Sequence, residues 1–132
     1  MRPAPLAAAL TLCAALPALA QSVPSETSTL AGQRITLHLH PFLTAEDLML
    51  LRLVATNEQA LGVFVTRSGQ HAALAVAPAE GFVRGGQPVP SAAALSDLPD
   101  PDTARAAALE VCERARRAGP ACVVILEVAP AR

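Results

Sequence analysis

The feature that most constrains this chain is its first twenty residues. Met1-Arg2-Pro3 leads into an almost unbroken apolar run from Leu6 to Leu16, then Pro17 and Ala18-Leu19-Ala20. One positive charge, a short apolar core and a small-x-small site form the pattern of a secretory signal, with cleavage expected after Ala20. A spanning helix needs about 20 apolar residues, and this run is shorter. A lipoprotein signal would use Cys13, but Leu12 stands where such signals carry a small residue. The expectation is a signal peptide over 1–20 and a periplasmic or secreted mature chain. That chain keeps 112 of the 132 residues, enough for one domain with a real core.

Export fixes the redox setting. Cys13 leaves with the signal, and Cys112 and Cys122 remain. An even count in an exported chain reads as a disulfide, and two cysteines allow one intramolecular pairing. A redox-active pair usually needs a Cys-x-x-Cys at a helix start, which is absent here. The bridge is therefore expected to be structural.

Composition excludes several function classes. All ten basic residues are Arg, so Schiff-base chemistry on pyridoxal phosphate, lysine general bases and a Walker A loop are ruled out. Without Arg2 the chain carries 9 basic and 11 acidic groups, a net charge of −2 with His neutral. That balance gives no basic footprint for nucleic acid. After the signal, no apolar stretch is long enough to span a membrane. No cofactor is expected.

Local patterns set the expected architecture. Residues 21–33 are polar and small, and read as a flexible leader. A single α+β domain is expected over 34–130. Ile35, Leu37 and Leu39 alternate with Thr36, His38 and His40, giving a half-buried strand ended by Pro41. Thr44 caps a helix, with Glu46 and Asp47 at its start. Residues 61–66 and 71–77 read as two strands joined by the turn Ser68-Gly69-Gln70. The stretch 78–100 is rich in Pro and Gly, with one helical turn expected over Ser91–Leu95. Asp100-Pro101-Asp102 starts a second helix, which Gly119-Pro120 ends. Ala121–Val128 is the last strand, and its run Val123-Val124-Ile125-Leu126 does not alternate, so both its faces should be covered. The resulting βαββαβ order points to two helices on one face of a mostly antiparallel four-stranded sheet, in a ferredoxin-like arrangement.

Few residues carry candidate chemistry. His38 and His40 share one side of a strand, and His-x-His can chelate zinc or copper. His71 would be the third ligand if its strand pairs alongside. The plainer reading is a polar outer face that contains histidine. Phe82, Arg84, Gly85 and Gly86 sit in the irregular stretch and are the candidate binding loop, with a simple turn as the alternative. No Gly-x-Ser-x-Gly is present, and no carboxylate pair stands out.

The C-terminal half resembles small exported proteobacterial proteins of the DUF4189 type. The matching residues are His71-Ala72-Ala73-Leu74-Ala75-Val76-Ala77, Gly81, a helix with Ala104, Ala108-Leu109 and Cys112, and Cys122-Val123-Val124. The resemblance implies a periplasmic domain with a helix-to-strand bridge and implies no activity. The functional expectation is a small disulfide-stapled binding or accessory domain, taking an unknown protein or small molecule. The competing readings are a metal carrier using His38, His40 and His71, and, last, a small hydrolase.

Overall fold

A computed structural model of the chain describes residues 3, 22–67 and 69–132. The expected signal peptide, apart from Pro3, and Ser68 of the expected turn lie outside the described residues. In chain order the elements are β1 (Ser25–Leu30), β2 (Gln33–His38), α1 (Ala45–Thr56), α2 (Glu58–Phe64), β3 (His71–Val76), β4 (Val83–Arg84), β5 (Gln87–Pro88), β6 (Ala93–Leu98), α3 (Pro101–Ala115) and β7 (Val123–Pro130). Five strands form one sheet in the order β1-β2-β7-β3-β6, with every neighbouring pair antiparallel. β4 and β5 make a separate small hairpin.

The α+β class and the mostly antiparallel sheet hold, but the layout differs from the expected one in four ways. First, residues 21–33 are not all leader. Ser25–Leu30 pairs with β2 through the two-residue turn Ala31-Gly32, both at positive φ. That backbone matches the right-handed twist of the flanking strands. Second, 61–66 is not a strand. Asn57 ends α1 and caps α2, its side chain accepting from Ala60 N–H. Leu61 and Val65 face the core at helical spacing, while Val63 is 85% exposed. Third, Ser91–Leu95 is not a helical turn. Ala93–Leu98 extends along β3, as the fifth strand and one edge of the sheet.

Fourth, the helices do not share a face. Along β3, Ala72, Leu74 and Val76 pack with Leu51, Leu61 and Val65. The alternate residues Ala73, Ala75 and Ala77 pack with Ala104, Ala108 and Cys112 of α3. Side chains of a strand alternate between faces, so α1–α2 and α3 lie on opposite sides of the sheet. The ferredoxin-like arrangement is thereby excluded. β7 is the central strand, covered on both faces as expected, and Ile125 is an extra residue that shifts its register against β3.

The two helical layers are also offset sideways. α1 packs on β1 and β2, whereas α3 packs on β3, β6 and β7. Each layer therefore leaves the other half of its own face without a helix. Those two uncovered quarters, diagonal to each other, hold an apolar groove and a polar cavity.

The α3 contact is made almost entirely of alanine. Small side chains let the helix lie close to the sheet, but each buries little apolar area, and stabilisation scales with that area. The Cys112–Cys122 disulfide crosses this contact, joining α3 to the segment entering β7. The expected bridge is present. Glu113 reinforces it, accepting from Cys122 N–H at 2.6 Å and from Arg116 Nε at 2.9 Å. Those two bonds, the Cys122 amide first, hold the Glu113 carboxyl below its ordinary range.

Candidate functional site

The larger uncovered quarter is an apolar groove of about 450 Å3. Its floor is the β3–β7–β6 sheet surface at Leu74, Leu126 and Ala94. Leu51 and Val54 of α1, and Ala60, Val63 and Phe64 of α2, form one wall, with Phe82 and Pro88 opposite. A second apolar hollow of about 330 Å3 shares Val54, Ala60, Val63, Phe82 and Pro88 and extends the groove toward Leu53. No charged side chain among the described residues lines either volume. The polar side chains in the groove are Thr66 and Ser96.

Local sequence explains both walls. Thr44 and Asp47 close a capping box at the start of α1: Asp47 N–H donates to Thr44 Oγ1 at 3.1 Å, and Thr44 N–H donates to Asp47 Oδ2 at 3.0 Å. Asp47 is fully buried. Its other oxygen accepts the Val83 amide at 2.9 Å, with the Arg84 guanidinium 3.6 Å away. One carboxylate therefore caps the helix and docks the β4–β5 hairpin onto it. Glu46 adds a second tie, accepting from Gly86 N–H at 3.1 Å. Gly85 and Gly86, both at positive φ, are the two-residue turn of this hairpin.

At the far end, β6 carries an extra residue opposite β3 between His71 and Ala73. Asp97 there adopts φ 62°, an uncommon conformation for a residue with a side chain. Thr66 Oγ1 donates to Asp97 Oδ2 at 2.9 Å. The bulge and the segment after α2 thus fix each other where Ser96 and Thr66 meet the groove.

The diagonal quarter, on the α3 face, is polar. Arg34, Thr36 and His38 of β2 project there, since Ile35 and Leu37 face the other way. Glu127 of β7 stands beside Thr36 in register. His38 Nε2 donates to Glu127 Oε2 at 2.6 Å, and Arg105 donates to Glu127 Oε1 at 2.8 Å. Arg105 also pairs with Asp102 one turn earlier on α3. The His38 hydrogen bond, aided by Arg105, keeps the Glu127 carboxyl below its ordinary value despite partial burial. Between this cluster and Pro101 lies a cavity of about 180 Å3, lined by Arg34, Thr36, His71, Arg105 and Glu127.

The candidate residues from the sequence are distributed over both quarters. His38 is held by Glu127. His40 lies beyond the end of β2, donates to the Val124 carbonyl at 3.2 Å and stacks on Phe42 with ring centroids 5.4 Å apart. Burial lowers the His40 pKa, which favours its neutral form. His71 lines the polar cavity, and its buried Nδ1 has no hydrogen-bond partner among the described residues. Among the described residues, no three His, Cys, Asp or Glu side chains come together to hold a metal ion. In the expected binding loop, Phe82 forms a groove wall, while Arg84 folds back over Gly81 and bonds the Val83 carbonyl. Arg84, Gly85 and Gly86 thus serve the hairpin turn.

Sequence reasoning missed Val54, Val63, Thr66, Ser96, Arg34, Arg105 and Glu127. Arg105 and Glu127 are 22 residues apart, and only the α3 crossover brings them together. No helix among the described residues is long and apolar enough to cross a membrane. No protein-family model matches the chain, and neither the curated proteins nor the solved structures provide a match.

Proposed function

We propose that this is an exported, disulfide-stapled binding domain whose ligand is a small, uncharged, largely aliphatic molecule with one hydrogen-bonding group. The observation that carries this reading is the groove between α1–α2, the β4–β5 hairpin and β6. Small-molecule sites are concave, measure about 300–1,000 Å3, and are mostly apolar with a few placed polar groups. The groove falls in that range. An ionised ligand would lose its hydration there against walls that offer no opposite charge. Ser96 and Thr66 supply hydroxyls at one end for a single hydroxyl or carbonyl on the ligand. The disulfide supports work in an oxidising compartment, outside the cytosol. A helix-to-strand bridge is also what kinship with the DUF4189-type exported proteins implies.

The test is an NMR titration of the mature protein with 1-decanol, followed through backbone amides. Saturable shifts at Ala60, Val63, Phe82 and Ser96 are expected. They should disappear in Ala60→Trp, which fills the groove, and weaken in Val63→Asp, which places a charge on an exposed rim position. Shifts that never saturate, or that survive both variants, would refute the assignment.

A further inference from the structure

The polar cavity on the opposite face is unaccounted for by the apolar groove, and one cation in its wall lacks a carboxylate partner among the described residues. Arg34 makes one long hydrogen bond, 3.4 Å to the Ala131 carbonyl. It has no carboxylate partner among the described residues. Arg105 and Glu127 pair with each other across the cavity wall. Glu127 already accepts from both His38 and Arg105, so each of its oxygens is engaged. Asp102 touches Arg105 from outside, with its side chain 88% exposed and screened by water. Of the two guanidinium groups in the cavity wall, Arg105 is paired with Glu127 and Asp102, and Arg34 is the one without a carboxylate partner among the described residues. The wall also holds the Thr36 hydroxyl and the His71 ring, whose Nδ1 is buried and unpartnered.

We propose that this cavity is a binding site for a small monocarboxylate, held by the Arg34 guanidinium and the Thr36 hydroxyl, with the His71 ring as part of its wall. The planar fork of a guanidinium matches a carboxylate in a bidentate pair, and Arg34 is the cation free to form it. One guanidinium without a carboxylate partner suits a monoanion. A dianion such as phosphate would add a charge that Glu127, in the same wall, repels. The volume of about 180 Å3 limits the acid to a few carbon atoms. The site is independent of the groove: the lining residues of the two do not overlap.

The experiment is an NMR titration of the mature protein with sodium acetate, and separately with inorganic phosphate, at constant ionic strength set by sodium chloride. Acetate should give saturable shifts at Thr36, His71, Arg105 and Ala129. Arg34→Gln should weaken acetate binding by about tenfold or more, the effect of losing one charge-assisted contact. Arg34 is exposed, so this variant keeps the fold; Thr36→Val, isosteric and on the same strand, serves as a second probe with a smaller loss. Phosphate should bind more weakly than acetate. Shifts that rise linearly without saturation, or unchanged acetate affinity in Arg34→Gln, would overturn the site. Phosphate binding tighter than acetate would overturn the charge argument.

Discussion

Replacing Asp47 with alanine should separate two functions that one carboxylate performs. The side chain takes the Thr44 amide at 3.0 Å and the Val83 amide at 2.9 Å, and it is fully buried. A hydrogen bond to a charged acceptor contributes about 1.5–3 kcal/mol, and a buried amide left unpaired costs about 1–3 kcal/mol. Two such bonds would sum to more than 3 kcal/mol, but removing the carboxylate also removes the cost of burying its charge. The Arg84 guanidinium, 3.6 Å away and half exposed, is simply taken up by water. The expected net loss is about 2–4 kcal/mol, a large share of the roughly 5–15 kcal/mol typical of a domain. Thr44→Ala removes only the other half of the capping box and should cost about 1 kcal/mol. Urea denaturation of the mature protein measures both. Hydrogen exchange at the Val83 and Val89 amides then tests whether the excess lies in the hairpin. Val89 N–H bonds the Phe82 carbonyl, so it reports on the same wall of the groove. If Asp47→Ala costs no more than Thr44→Ala, or if exchange at Val83 is unchanged, the docking role assigned to this carboxylate is wrong.

Reducing the Cys112–Cys122 bridge should lower stability by about 2–3 kcal/mol, the chain-entropy value for a loop with a separation of 10 residues, read as a shift in urea midpoint with and without reductant. The double variant Cys112→Ala/Cys122→Ala should match the reduced protein, and equal midpoints with and without reductant in the wild type would show that the bridge does not tie α3 to the sheet. Glu127 has its folded pKa depressed below the ordinary value by the His38 hydrogen bond and by Arg105, so the stability these contacts give its carboxylate is present above the unfolded pKa and is lost as pH falls through the folded pKa. Urea midpoints should therefore drop on acidification below about pH 4.5, and Glu127→Gln should flatten that drop; an unchanged slope would remove Glu127 from the acid response. His40, lowered by burial below 6.5, begins to destabilise the fold at the higher pH where the unfolded imidazole takes up its proton, and its ring resonances should titrate below the free value.

What the sequence made legible was the strongly punctuated part of the chain. Thr44 with Asp47 and Asp100 with Pro101 are helix starts whose side chains bond their own first turn, so a local reading suffices. β7 was readable because a central strand covered on both faces has no reason to alternate. The misreadings share a different cause. Residues 61–66 hold Val, Phe and Val, which favour strand, yet the Asn57 cap and the inward spacing of Leu61 and Val65 make a helix of 58–64. β1 is polar because one of its faces is solvated and the other only half covered, so no apolar period marks it. Its turn carries Ala31, not the Asn or Asp that usually signals such a hairpin. β6 looked helical from Ser91-Ala92-Ala93-Ala94. Ala93 is small where α3 packs closely over it, while Ala92 and Ala94 line the groove on the other face, and neither contact is visible along the chain.

The placement of the helical layers follows from the alternation within β3 and its neighbours. On one side β3 carries alanine toward α3, and β6 adds Ala93 and Leu98, so that helix settles directly over them and β2 is left bare. A bare strand face must be polar, and Arg34, Thr36 and His38 make it so. On the other side, Ile35 and Leu37 draw α1 over β2, leaving Leu74, Leu126 and Ala94 under a groove that Phe82 and the hairpin only partly roof. Leu126 lines the groove and Glu127, the next residue, lines the polar cavity, so β7 is the common wall of both sites. Its ends are fixed, by the disulfide before Val123 and by pairing of Pro130 with Gln33. A strand held in this way, hydrogen-bonded on both edges, can present opposite chemistries on its two faces without either site disturbing the other. Ligands at the two sites should therefore bind independently, and an affinity for decanol that changes when acetate saturates the polar cavity would show that β7 moves.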